Sequence, residues 1–210
     1  MTAGALTVGV AIAACGGGLS RPAAAAPSTT ITPAGQTTTA ASPSGCVYTT
    51  QAPATSAGPG PLLPTADPFY KWPGSLARKV PGTILRTRTI AFAEGRANTR
   101  MKTAQLLYVT TDELGCRTVS VVTVFQPLGE PASAPKRLFS YQTSYDALGA
   151  QCDPSYTLKA GTEGETGFIM SYVSSGYTVV MADYEGEDAA YGVGQQSGYE
   201  TLDAIRAAEN

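Results

Sequence analysis

The acidic segment Asp183–Asp188 is the first place where the residue types could do chemistry. It contains four closely spaced carboxylates, Asp183, Glu185, Glu187 and Asp188. Such groups can bind calcium, or can act as the acid and base pair of a glycoside hydrolase. The spacing matches no defined calcium loop, and the pair would need a separation that the sequence does not fix. We therefore interpret the segment as a solvated loop.

A serine nucleophile needs a base and a strained turn, and the sequence supplies neither. The chain contains no histidine, so a Ser-His-Asp arrangement cannot form within it. The nearest candidates for the turn, Ser174-Ser175-Gly176 and Ser197-Gly198, lack the preceding glycine of G-x-S-x-G. A serine without a base is a poor nucleophile at neutral pH. We predict no measurable esterase turnover by this polypeptide alone.

Metal and cofactor sites are not indicated by the remaining motifs. The cysteines are scattered and histidine is absent, which leaves no plausible zinc site. The glycines form neither a dinucleotide-binding G-x-G-x-x-G motif nor a P-loop. We therefore expect no cofactor and no metal.

The elements that would position these residues begin with a hairpin and continue as alternating strands and helices. In chain order we predict an irregular strand near Ile84–Ile90, hairpin strands Ala104–Thr111 and Arg117–Phe125, a strand Arg137–Gln142, a helix within Thr162–Ser175, a strand Tyr177–Asp183 and a helix from near Ser197 or Gly198. The strand Tyr177–Asp183 is continuously apolar, which predicts burial on both faces and a parallel βαβ unit.

The two predicted helices each carry apolar residues at helical spacing. Phe168, Ile169, Tyr172 and Val173 form i and i+4 pairs that predict one buried face. In the second helix, Tyr199, Leu202 and Ile205 are spaced by three, which predicts the same for that helix.

The order of elements predicts an α/β fold, namely the N-terminal, incomplete part of an α/β-hydrolase sheet. In that fold the loop after the first crossover strand supplies one oxyanion donor, and here that loop is Thr143–Pro154. The nucleophile turn would follow a strand beyond Asn210. Without further strands, we expect Tyr177–Asp183 to have an open edge and the chain to aggregate.

The N-terminal third differs in composition from the rest. Residues 1–15 form an uncharged apolar run that ends in small residues and Cys15, the pattern of a lipoprotein signal without its usual Lys or Arg. A buried amphipathic start is the alternative. Residues 16–65 are rich in Ala, Pro, Thr and Ser and are predicted to be a disordered tether. Residues 66–210 are the predicted domain, on a protein that is secreted or anchored in the cell envelope.

Cysteine usage and charge agree with an exported protein. If Cys15 carries lipid, three cysteines remain, and Cys46 with Cys116 is our candidate disulfide, which leaves Cys152 alone. The net charge of −2 does not predict a nucleic-acid partner. Lys71–Lys102 is strongly basic, which is consistent with a solvated face that balances the acidic half or with a patch that touches the envelope.

Several segments, in this order and spacing, resemble the secretory lipases, the fungal lipase A type and its actinobacterial relatives. They are Phe69-Tyr70, Pro81–Arg86, Leu107–Thr111, Ser140–Gln142 with Tyr145-Asp146, Cys152–Tyr156, Gly176–Val180, Asp183–Gly186, and Gly198 with Leu202–Ala207. The family consists of α/β-hydrolases that cleave acylglycerol esters. The resemblance covers nearly all of residues 66–210 and neither the signal nor the tether.

The resemblance implies a role for few residues. Asp146 matches the residue that helps to form the family's oxyanion hole, and Cys152 matches a cysteine whose partner lies much further along the chain. Asp183 and Glu185 match a motif near the site, without a role that we can assign. The family's serine, acid and histidine lie beyond the equivalent of Asn210.

The resemblance therefore implies the N-terminal fragment of an exported lipase, with a lipid ester substrate and no cofactor. Two other classes stay open. One is a cell-surface lipoprotein that serves as a binding or scaffold module, anchored to the envelope through Cys15. The other is one half of a split hydrolase completed by a second chain.

Overall fold

Five strands form one mixed sheet in the part of the chain that the computed structural model describes, residues 60–91, 101–131, 133–144 and 149–210. The strands are β1 (Ile84–Thr89), β2 (Met101–Thr111), β3 (Arg117–Pro127), β4 (Arg137–Ser140) and β5 (Tyr177–Ala182). They lie side by side in the order β1-β2-β3-β5-β4. The described helices are α1 (Pro154–Ala160), α2 (Thr166–Ser174) and α3 (Gly194–Glu209), with short 3-10 turns at Pro68–Tyr70 and Ala150–Cys152.

The predicted hairpin is confirmed, because β2 and β3 pair antiparallel along their whole length. At its turn the Asp112 carboxylate accepts hydrogen bonds from the backbone N–H groups of Leu114 at 2.9 Å and Cys116 at 2.7 Å. β1 pairs antiparallel with β2, with a register shift between Ile84 and Arg86. This bulge explains why the apolar residues of β1 alternate imperfectly.

The strand β5 is buried on both faces, as predicted. Val179 and Met181 belong to an apolar cluster that contains residues of α2. Val180 and Ala182 belong to a second cluster, which contains residues of α3. Because successive residues of a strand point to opposite faces, α2 and α3 cover opposite faces of the sheet.

The prediction that β5 has an open edge is wrong. β5 pairs antiparallel with β3 on one side and parallel with β4 on the other. β4 is therefore the outer strand, and its residues are half-buried or exposed whereas the second half of β5 is fully buried. The crossover through α2 places β5 between β4 and β3, so this apolar strand is paired on both edges.

The helix α1 was not predicted, because we expected the loop Thr143–Pro154 to continue without helix. Proline suits the first position of a helix, since the N–H that it lacks would have no partner there. α1 begins at Pro154 and ends before Gly161, which has a φ of 74° in the left-handed region. Both signals are present in the sequence and together they delimit this short helix.

The predicted apolar faces of α2 and α3 are correct only in part. In α2, Ile169 and Val173 are buried, but Phe168 is 62% exposed. α3 begins at Gly194, earlier than predicted, and Tyr199 and Leu202 lie on its exposed side. The buried side of α3 consists instead of polar and small residues, Gln196, Glu200, Asp203, Ala204 and Ala207.

None of the helices within the described residues has both the length and the apolar character needed to cross a membrane.

Candidate active site

The candidate site lies where β4 and β5 end. The two strands are parallel neighbours, so their carboxyl ends meet at one edge of the sheet, where α/β proteins place their ligands. Thr143 follows β4 and Asp183 follows β5, and both side chains are buried. Asp146, the predicted oxyanion residue, belongs to residues 145–148, outside the described part of the chain. Its role stays a prediction.

Asp183 holds the first turn of α1. Its Oδ1 accepts a hydrogen bond from the backbone N–H of Ser155 at 2.8 Å, and its Oδ2 accepts one from the Ser155 hydroxyl at 2.6 Å. The Ser155 Oγ also lies 2.8 Å from the Tyr70 hydroxyl. A carboxyl group in this position satisfies a backbone N–H that the helix itself leaves without a partner.

The interpretation of Asp183–Asp188 as a solvated loop is therefore wrong for its first half. Asp183 is 4% exposed and Glu185 is 2% exposed, whereas Asp188 is half-buried and Glu187 is exposed. Asp183 points inward because Ser155 at the N terminus of α1 supplies polar partners for its carboxyl group, whereas α3 contacts Glu185 through a hydrogen bond from Gln196 to its backbone carbonyl. Within the described ranges, no group of three His, Cys, Asp or Glu residues is placed to hold a metal ion.

Burial raises the pKa of the carboxyl groups at this turn. It raises the pKa of Asp183 to about 7, although the hydrogen bonds from Ser155 and the positive charge of Arg88 act in the opposite direction. The pKa of Asp153 is raised well above its ordinary value by burial and then by the charges of Asp183 and Glu185. Asp153 and Asp183 both line a small, partly open cleft of about 30 Å³, which is large enough for water.

Thr143 is held from several sides at the exit of β4. Its hydroxyl lies 2.5 Å from Oε2 of Glu165 and 3.1 Å from Oε1 of Glu163, and its backbone carbonyl accepts a hydrogen bond from the Tyr184 hydroxyl at 3.0 Å. The Tyr141 hydroxyl donates to the same Glu165 oxygen at 2.9 Å. The hydrogen bonds from Thr143 and Tyr141 lower the pKa of Glu165. This arrangement, the Thr143 clamp, fixes the backbone just before the predicted oxyanion residue.

α3 presents acidic groups to the sheet beside the site. The Tyr108 hydroxyl lies 2.8 Å from the backbone carbonyl of Glu200 and 3.0 Å from its Oε2. The Thr110 hydroxyl donates to Oδ2 of Asp203 at 3.0 Å. Burial raises the pKa of Glu200 well above its ordinary value. The buried face of α3 is polar because the sheet residues opposite it carry hydroxyl groups.

Gly186 allows the acidic turn to approach α3. Its φ is +73°, and a Cβ at this position would lie 1.9 Å from Nε2 of Gln196. That amide donates a hydrogen bond to the backbone carbonyl of Glu185 at 2.9 Å. A side chain here would therefore both strain the backbone and displace this hydrogen bond.

A buried polar network connects the N-terminal side of the domain to α1. Asp67 accepts hydrogen bonds from Arg88 at 2.6 Å and Lys159 at 3.0 Å. Arg88 also donates to the side chain of Gln105 at 2.8 Å, and Gln105 donates to the backbone carbonyl of Ser155 at 2.7 Å. The network supports the same turn of α1 that Asp183 holds.

The structure describes two of the four cysteines, Cys116 and Cys152. Cys152 is free and half-buried, and burial raises the pKa of its thiol. Cys116 is disulfide-bonded. Cys15 and Cys46 lie outside the described residues, so the lipidation of Cys15, the pairing of Cys46 with Cys116 and the later partner of Cys152 stay predictions.

Comparisons with known proteins agree with this geometry. A family model described as secretory lipase matches residues 153–210. A protein of Mycobacterium tuberculosis named as a probable inactive lipase is 37% identical over 158 residues, which are 71% of this chain and 35% of that protein. A secreted triacylglycerol lipase of Malassezia globosa is 37% identical over 154 residues, 69% of this chain and 33% of that protein.

The crystal structure of Candida antarctica lipase A in its closed state matches with a TM-score of 0.64 and 33% sequence identity, over 72% of this chain and 36% of that chain. The chain is related to the secretory lipases. The resemblance inferred from the sequence segments is confirmed, and so is the fold class, a partial α/β-hydrolase fold. The chain spans about a third of the length of these curated relatives.

The described residues hold the backbone around the candidate site in place, but they include no nucleophile paired with a base. Ser155 hydrogen-bonds the carboxyl group of Asp183 and Ser120 hydrogen-bonds that of Glu200. These serines are 0% and 5% exposed, so no ester could reach either of them. Ser155, Glu165 and Tyr184 were not predicted as site residues. Ser155 lies within the segment Cys152–Tyr156 and Tyr184 within Asp183–Gly186, both of which resemble the secretory lipases. That resemblance was the sequence signal that could have identified them.

Proposed function

We propose that this chain is the N-terminal portion of an exported lipase that hydrolyses acylglycerol esters. The relation to secretory lipases and the partial hydrolase sheet support this proposal. A relative that is named a secreted triacylglycerol lipase supports export and this substrate class. The serine, acid and histidine of the reaction would come from polypeptide that corresponds to the remaining two thirds of the relatives.

The observation that carries the proposal is the position of the open edge of β4. α2, which connects β4 to β5, and α3, which follows β5, lie on opposite faces of the sheet. Strand–helix–strand crossovers are almost always right-handed. A strand that followed α3 would therefore lie beyond β4, on its open edge. The carboxyl end of such a strand would lie beside Thr143, where a nucleophile turn could meet the segment that contains Asp146.

In the proposed enzyme, a protonated carboxyl group of Asp146 would donate a hydrogen bond to the oxyanion as negative charge develops on the carbonyl oxygen of the ester. The Thr143 clamp would support it by fixing the backbone on its N-terminal side. No cofactor is needed, because the serine, histidine and acid of a hydrolase perform the proton transfers themselves. Cys15 and residues 16–65 would hold the enzyme at the cell envelope.

The experiment compares three proteins in a p-nitrophenyl butyrate assay. They are the chain alone, the chain joined to the part of Candida antarctica lipase A that follows the equivalent of Asn210, and the joined protein with Asp146→Ala. We expect saturable, phosphonate-sensitive hydrolysis only from the joined proteins, with kcat lowered about 100- to 1,000-fold by Asp146→Ala. The exposed residue Glu209 provides the control Glu209→Ala, for which we expect unchanged kcat.

Two results would contradict the proposal. One is saturable, phosphonate-sensitive turnover by the chain alone. The other is a folded joined protein whose kcat does not change on Asp146→Ala.

A binding or scaffold module is the second candidate, favoured by the relative that is named a probable inactive lipase. A split hydrolase is the third, and it would use the same open edge of β4. The DNA after codon 210 separates them: a G-x-S-x-G sequence and a downstream histidine in any frame support the lipase, whereas a stop codon kept in independent isolates supports the module. A monodisperse chain with cooperative melting would also support the module.

A further inference from the structure

The segment before β1 carries a basic surface around Trp72, the single tryptophan of the chain. Trp72 is half-buried, and its inner side packs on the apolar cluster that contains Tyr70 and Val119. The Nζ of Lys79 lies 5.5 Å from the centre of its ring, and the Cζ of Arg86 lies 5.9 Å from it. An aromatic ring flanked by cations is thus presented at the surface.

A groove of about 430 Å³ runs beside this ring. Its walls are mostly apolar, with Pro68, Trp72, Pro73, Leu76 and Val119, and its polar rim contains Lys71, Arg86 and Glu187. Val80, in the same segment, is 69% exposed. The Trp72 indole N–H is buried and has no acceptor among the described residues, a state that costs free energy until an acceptor is supplied.

The charge of this surface is positive and largely uncompensated. No acidic residue occurs between Pro68 and Thr89 in the sequence. Lys71 pairs with Glu187, and Arg88 pairs with buried Asp67. In the ranges that the structure describes, no carboxylate forms an ion pair with Arg78, Lys79 or Arg86.

We propose that this surface, the basic tryptophan face (Trp72, Arg78, Lys79, Val80 and Arg86), docks the chain on an anionic lipid surface. Cations attract anionic headgroups, tryptophan favours the boundary between headgroups and acyl chains, and an exposed valine adds apolar contact. This inference is independent of ester hydrolysis and would hold even if the chain never formed part of an enzyme.

The single tryptophan provides the assay. The full chain, produced without lipid on Cys15, is titrated with phosphatidylcholine vesicles that contain or lack phosphatidylglycerol. We expect a blue shift of the Trp72 emission and quenching by brominated acyl chains only with the anionic vesicles. Binding should weaken as salt is added, because added ions screen exposed charges over about 10 Å or less at 0.1 M and above.

A matched pair of variants tests the location. Arg78→Gln with Lys79→Gln removes two charges from the basic tryptophan face, and each such charge contributes about a fivefold change in partitioning. We expect about a 30-fold loss of binding. Lys102→Gln with Lys136→Gln changes the net charge equally at exposed positions on β2 and before β4, and it should bind like the original chain.

Several results would overturn the proposal. Vesicle binding without any change in Trp72 emission would place the contact elsewhere. Equal loss of binding in both double variants would indicate a general effect of net charge. Complete displacement by millimolar glycerol phosphate would indicate a site for a free phosphate, and tighter binding of double-stranded DNA with the same emission change would indicate a nucleic-acid surface.

Discussion

Asp183 should make the stability of this domain depend on pH in a direction opposite to that of most carboxylates. Burial raises its pKa in the folded protein to about 7 from an ordinary value of 3.8. As the pH rises from 4 to 7, the unfolded chain therefore loses this proton before the folded protein does. The free energy of unfolding falls over this interval. A shift of this size corresponds to about 4 kcal/mol, the most that this one group contributes.

Asp183→Asn isolates that contribution. The amide keeps the shape of the side chain, its oxygen still accepts from the Ser155 N–H, and its nitrogen donates to the Ser155 hydroxyl, which donates in turn to Tyr70. Near pH 4 the original side chain is protonated, so the two proteins should be about equally stable. At pH 8 we expect the variant to be more stable, by up to about 4 kcal/mol.

Urea denaturation at a series of pH values, followed by tyrosine and tryptophan fluorescence, gives both curves. The exposed carboxylate of Glu209 provides the control Glu209→Gln, whose difference from the original chain should not grow between pH 4 and 8. A difference for Asp183→Asn that is the same at every pH would refute the reasoning. So would a variant that is less stable at pH 8.

Three further predictions concern local structure. In urea denaturation, Gly186→Ala should destabilise the domain by at least about 1 kcal/mol more than the control Gly192→Ala does. Both glycines have φ near +74°, but an added Cβ meets Gln196 only at Gly186. Equal effects of the two substitutions would contradict the contact with Gln196. Thr143→Val should cost about 1–2 kcal/mol by removing the hydrogen bonding of the buried Thr143 hydroxyl to the half-buried carboxylates of Glu163 and Glu165, and Thr143→Ser should restore most of that loss; a Ser variant as unstable as Val would contradict the clamp. The alkylation rate of native Cys152 should still be rising above pH 9, because its thiol pKa is raised by burial; a rate that levels off below pH 8 would contradict it.

The elements that local signals specify were predictable. β2 and β3 are apolar runs on either side of a turn with Asp112 and Gly115, and they form the expected hairpin. β5 is continuously apolar because it contacts a helix on each face. These properties belong to the segments themselves, so the sequence carries them without knowledge of their neighbours.

The features that were missed depend on partners that are distant in the sequence. Asp183 is buried because Ser155, 28 residues earlier, satisfies both of its oxygens. α3 turns Glu200 and Asp203 inward because hydroxyl groups of β2 face them, so the spacing of Tyr199 and Leu202 predicted the wrong face. β4 is the outer strand because the chain after α2 inserts β5 between β3 and β4. The local sequence of neither strand predicts this order.

Backbone hydrogen exchange at the two outer strands tests most directly whether β4 receives a further strand in a complete lipase. The chain alone is compared with the chain joined to the Candida antarctica lipase A remainder, and β1 serves as the internal reference because it is the outer strand on the other side. We predict that the amide groups of β4 (Arg137–Ser140) become strongly protected in the joined protein while those of β1 exchange as before. Unchanged exchange in β4, or new protection confined to β1, would contradict the account.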